Sequence, residues 1–146
     1  MDAAPNNARP IIVHSLAHAL AAATVATQQN TPLHLTSASG AASTTGVGWF
    51  ASLGEIVAER FPGLPLTLTL DCGDVSGLAL GALRRGLHSI VFSGDPVAAR
   101  RLTEIAQTYG AVIEPQPLPA LDLLDAPDPN LACVRWFSVE SGATVG

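Results

Sequence analysis

Two carboxylates flank a thiol in the segment Leu70-Asp71-Cys72-Gly73-Asp74, the densest group of reactive side chains in the sequence. A cysteine at a helix amino terminus can carry a depressed pKa and act as a nucleophile. Asp71 and Asp74 oppose that, because nearby negative charge disfavours a thiolate, and cysteine commonly packs inside. Cys72, Asp71 and His14 are the candidate catalytic residues on this reading, the carboxylates alternatively holding a polar ligand or a cation. Asp74 has a plainer use as a helix cap. His14 and His18 stand four apart, a spacing that puts two imidazoles on one helix face. There is no H-E-x-x-H, and His14 falls at a strand end rather than on a helix, so no metal site is assigned.

A second group is rich in hydroxyls. Ser37, Ser39, Gly40, Ser43, Thr44 and Thr45 precede an apolar helical pattern. Backbone N–H groups and hydroxyls at such a turn can hold a phosphate or carboxylate. The glycine spacing fits neither G-x-G-x-x-G nor a P-loop, so no cofactor is named. An ordinary, well-capped connection would use the same residues. With Asp71, Asp74 and Ser93 added, these are the expected ligand-binding residues, and a small polar or anionic metabolite is the expected ligand. His34 and His88 read as structural.

Repeated strand–helix units must position these groups. Short β-rich runs occur at 10–13, 32–35, 65–70, 89–92 and 111–113, three of them opening on proline. Their onsets recur at roughly 22 residues, with one gap of roughly 33, which indicates βαβ units and a parallel sheet. Asp95-Pro96 starts a helix that Gly110 ends, and Asp74 or Ser76 can cap the helix that Gly86 ends. Another helix spans roughly 49–60, and the first, 16–28, is alanine-rich. The expected fold is α/β, a three-layer sandwich with a mostly parallel five- or six-stranded sheet, flavodoxin-like or Rossmann-like. Half of a (β/α)₈ barrel completed by a second copy is the alternative. In either, residues after the strands converge on one rim.

Around this repeated core, 10–115, residues 1–9 read as a flexible leader and 116–146 as an irregular connector. Within the latter, 121–124 suggests a turn of helix, and 131–139 has strand character, an edge strand or a partner-contacting arm containing Trp136 and Phe137. An aspartate closing a third strand resembles response-regulator receiver domains, with Asp71 and Ser93 at the phosphoacceptor and switch-hydroxyl positions. The resemblance ends there. The first strand closes on His14-Ser15 rather than an acidic pair, and the chain has no lysine.

All seven basic residues are arginines, which excludes Schiff-base chemistry and the Walker lysine. A net charge of −5 without a basic patch argues against nucleic acid. Hydrophobic residues make up 48% and charged ones only 13%, with a mean hydropathy of +0.35. So little charge leaves apolar surface to cover, and a homo-oligomer, most simply a dimer, is expected. Arg9 and the apolar run 11–26 imitate a signal peptide, but two histidines interrupt the run and Asp2 precedes it. No run reaches membrane-spanning length, and the expected location is the cytoplasm, where two cysteines remain reduced.

Overall fold

The computed structural model describes residues 8–143, with the backbone alone for 139–143. Six strands form one all-parallel sheet: β1 (Ile11–Ile12), β2 (Leu33–Thr36), β3 (Leu66–Asp71), β4 (Ser89–Val91), β5 (Val112–Glu114) and β6 (Leu121–Asp122). Helices α1 (Leu16–Gln28), α2 (Ala41–Thr44), α3 (Val47–Arg60), α4 (Ser76–Arg84), α5 (Pro96–Thr108) and α6 (Pro129–Ala143) connect or follow them. The spatial order is β5-β4-β3-β2-β1-β6. The first five strands succeed one another across the sheet, and the sixth returns to the outer edge of β1. Both end strands are open edges, so the sheet does not close.

Each crossover between successive parallel strands turns the same way, which puts the helices in one row on one face. Their contacts follow that row, α6 on α1, α1 on α3, α3 on α4 and α4 on α5. The strands are correspondingly two-sided. On β3, Leu66, Leu68 and Leu70 alternate with Thr67, Thr69 and Asp71. The leucine side meets the helices. A Cβ on Gly54 of α3 would overlap the Cδ1 methyl of Leu68. Ile11, Leu33, Leu35, Leu70, Ile90 and Phe92 lie in one buried core with Phe50, Val57, Leu83 and the alanines of α1. Those alanines, Ala19, Ala22, Ala23 and Ala26, are all fully buried and allow α3 and α6 to approach closely.

Among the described residues, the other face carries no helix. From β5 the chain recrosses it in a short connector, Pro115 to Ala120, three of whose first five residues are proline. Leu118 and Gln116 from the connector share a recess with Pro10, His34, Thr36, Thr69, Ser89 and Val91. Helix row, sheet and this thin overlay make the three layers.

The carboxyl-terminal segment differs from its sequence reading. Residues expected as strand, 131–139, belong to α6. Asp128 begins this helix, its Oδ1 accepting from Leu131 N at 3.2 Å, with Pro129 in the first position. Cys133 and Phe137, four apart, are buried against the core, so helical periodicity prevails over the β propensity of Val134, Trp136 and Phe137. Trp136 lies on α6 rather than on an extended arm. Its ring lies 3.4 Å under the Arg9 guanidinium, its carbonyl accepts from Arg9 and its Nε1 donates to Arg9 O. Residues 8 and 9 of the expected leader are therefore pinned, Ala8 being 8% exposed, while 1–7 fall outside the described residues. A sixth strand exists, parallel to β1, at Leu121–Asp122 rather than at 131–139, where a helical turn was expected; that turn comes next as a 3-10 helix at Leu123–Asp125. No helix among the described residues is long and apolar enough to cross a membrane.

Candidate functional site

Because every strand is parallel, their carboxyl ends share one rim, and His14, Ser37, Asp71, Ser93, Glu114 and Asp122 lie along it. Part of the expected site assembles there. Ser37 Oγ accepts from Asp71 N at 2.9 Å and donates to Ala38 O. Asp71 Oδ1 accepts from Gly73 N at 2.8 Å, and Ser93 N donates to Gly73 O. A Cβ on Gly73 would stand 4.0 Å from Gly40 Cα, and both glycines hold positive φ. Ser37, Gly40, Asp71 and Ser93 thus form one knot between three loops.

The rest of the expected site does not join it. Ser39, Ser43, Thr44, Thr45 and Asp74 are exposed. Thr44 and Thr45 donate back to the Ala41 carbonyl, at 3.3 and 3.0 Å, closing the turn of α2. Asp74 caps nothing, since the residue before α4 is Val75 and no side chain caps that helix.

Cys72 is a core residue. It is fully buried, and burial, reinforced by the Asp71 charge, pushes its thiol up to about 12, the reverse of activation at a helix terminus. His14 stands two strands from Asp71, roughly 10 Å across the sheet, and its Nε2 pairs with Asp122 Oδ1 at 2.7 Å instead. The arrangement therefore supplies no base to Cys72. His14 N donates to His18 Nδ1. Among the described residues, no group of three or more His, Cys, Asp or Glu is arranged to hold a metal.

A large groove lies elsewhere, on the helix-free face. With a volume of ≈ 740 Å³, it runs over the sheet between residues 8–10 and the connector, bordered by Arg9, His34, Thr67, Ser89, Glu114 and Leu118. It continues into a recess of ≈ 40 Å³ walled by Thr36, Thr69, Val91 and Gln116. Across its floor runs a chain of short hydrogen bonds over three strands. His34 Nε2 is 2.7 Å from Thr69 Oγ1, which is 2.7 Å from Ser89 Oγ. Register sets this up, because Thr69 pairs directly with Ser89 and lies diagonally across from His34. His34 and Thr69 are 7% and 5% exposed. Burial lowers the His34 pKa below its ordinary value, against a hydrogen bond to the Ala8 backbone that raises it. Burial thereby disfavours a charged imidazole under the groove.

Sequence reading assigned His34 to structure and passed over Thr69, Ser89 and Glu114. The signal was there. Leu33-His34-Leu35-Thr36 and Leu66-Thr67-Leu68-Thr69-Leu70-Asp71 alternate strictly, and in a parallel sheet buried on both faces strands read as continuous apolar runs instead. Two alternating strands in a parallel sheet mark a polar face. No protein-family model matches the chain, and no curated protein matches it.

Proposed function

We propose that the chain binds a small polar ligand in the groove on the helix-free face of its sheet, floored by His34, Thr69 and Ser89. The observation that carries the reading is the buried hydroxyl–imidazole chain opening into the molecule's ≈ 740 Å³ groove. Ligand sites are concave, mostly apolar and furnished with a few converging polar groups. Leu118, Pro119 and Pro10 supply the apolar walls, and His34, Ser89, Thr67 and Glu114 the polar ones. The recess ends at Thr36 and Gln116, beside the rim where ligands of open α/β sheets gather. The Ser37–Asp71 knot then acts as the support of that end.

The test is a thermal-shift screen of small polar metabolites against the wild type and Ser89→Ala. A ligand of the groove raises the wild-type melting temperature by several degrees and fails to do so in the variant. Equal shifts in both, or none across the screen, would reject the site.

A second reading, a dimeric interaction module, draws on α6 and the turn before it. Leu131 and Val134 sit one turn apart and are 44% and 36% exposed, with Leu124 at 62%. Sedimentation at low micromolar concentration would give a dimer that Leu131→Glu dissociates; a monomeric wild type removes this reading. Cys72 and Cys133 are both free and buried, which suits a reducing compartment such as the cytoplasm.

A further inference from the structure

We infer that the groove selects a protonated amine carried on a short apolar body; this rests on the groove reading above and names its ligand class. One acceptor of the wall stands without a partner. Glu114 borders both the groove and the recess. Its carboxylate has no hydrogen bond or ion pair among the described residues. Pro10 and Pro119 line the wall and bring no N–H to it, the Pro10 carbonyl already accepting from Leu121 N at 3.1 Å.

Arg9 and His88 also border the groove, but away from the Glu114 carboxylate. The Arg9 guanidinium stacks on Trp136 and donates to its carbonyl. Burial disfavours a charge on His34. His88 lies three residues before Val91, the register partner of Glu114, roughly 10 Å along the strand. An anion at Glu114 would face its carboxylate, with the Arg9 guanidinium held against Trp136 instead. A neutral alcohol would use the hydroxyls and leave the carboxylate without a charged partner. An ammonium gives Glu114 a charge-assisted hydrogen bond, the stronger kind, and keeps donors for the Ser89 and Thr67 hydroxyls. The apolar sides of Leu118, Pro119 and Val112 leave room for a short hydrocarbon body.

Three probes with one body separate these cases: n-butylamine, 1-butanol and butyrate, titrated into the full chain at pH 7.5 and followed by amide shifts in ¹H–¹⁵N correlation spectra. Butylamine is expected to shift the amides of Thr69, Ser89 and Glu114, with a Kd at least about tenfold below that of butanol, and butyrate to leave them still. Glu114→Gln is expected to remove the amine preference while butanol binding persists. Butanol binding as tightly as butylamine overturns the amine class and leaves the groove reading intact. So does butyrate binding as tightly, or an amine affinity unchanged in Glu114→Gln. Silence of all three probes at the groove amides overturns both. The wild-type ratio of amine to alcohol decides the matter without any variant.

Discussion

Thr69 is the side chain on which the groove floor turns, because its hydroxyl serves both His34 and Ser89. Thr69→Val keeps the shape and deletes both bonds, leaving a buried imidazole without its partner. Such a loss costs about 1–3 kcal/mol, read as a fall in the denaturant midpoint, whereas Thr69→Ser should recover most of it. The lowered pKa of His34 sets the sign of its pH dependence. The unfolded chain, with histidine at its ordinary 6.5, takes up the proton before the folded chain does. Stability is therefore complete above about pH 6.5 and declines as the pH falls below it. His18 shifts in the same direction and contributes the same sign from a more exposed position. A urea-unfolding series from pH 8 to pH 5 should show this decline, and His34→Asn should flatten it. At the other extreme of reactivity, Cys72 and Cys133 are pushed up to about 12 and about 11 by burial. Both should ignore a thiol reagent at pH 8 until denaturant is added. Rapid labelling of Cys72 in the folded protein would contradict its place in the core. The sequence made Cys72 look eligible because neighbouring residue types are visible in a chain and burial is not.

At the scale of elements, α3 depends on a missing side chain. Gly54 faces Leu68 so closely that a methyl group would collide with it, and Gly54→Ala should cost about 1–3 kcal/mol through overpacking, although alanine favours helix. Thermal unfolding would show which effect wins. Helix ends were the most legible features of the chain. Asp95 caps α5 as its sequence implies, Oδ2 accepting from Ala98 N at 3.0 Å with Pro96 at the first helical position. Asp128-Pro129 is the same two-residue signal, and it opens α6 in the same way. The residues of α6 itself conceal that signal, since valine, tryptophan and phenylalanine also suit strands. Spacing resolves the ambiguity only when one knows that Cys133 and Phe137 share a buried face. Asp128→Ala should therefore weaken α6 by about 1 kcal/mol, seen as a loss of helical circular dichroism at temperatures below the global transition.

For the molecule as a whole, the strands and their parallel sense could be read from the repeat, but their order could not. Local sequence records where a strand begins, while order depends on which edges each helix covers. The return of β6 to β1 is a long-range event with no local signature beyond the break in rhythm after Pro115. The helix-free face is a consequence of that order. Five strands wound in one direction commit their helices to one side, and only six residues recross the other. The same return has a kinetic side. Ile11 waits for Leu121, its partner from the far end of the chain, and closing so long a loop must precede any reward from the pairing. The unit β6–α6 is thus expected to dock last and release first. With it go the cover on the outer edge of β1 and the Trp136 clasp on Arg9. In hydrogen exchange, amides of 129–138 should open together at a free energy below that of β2 and β3, and a molecule caught in that open state would have a groove without its near wall.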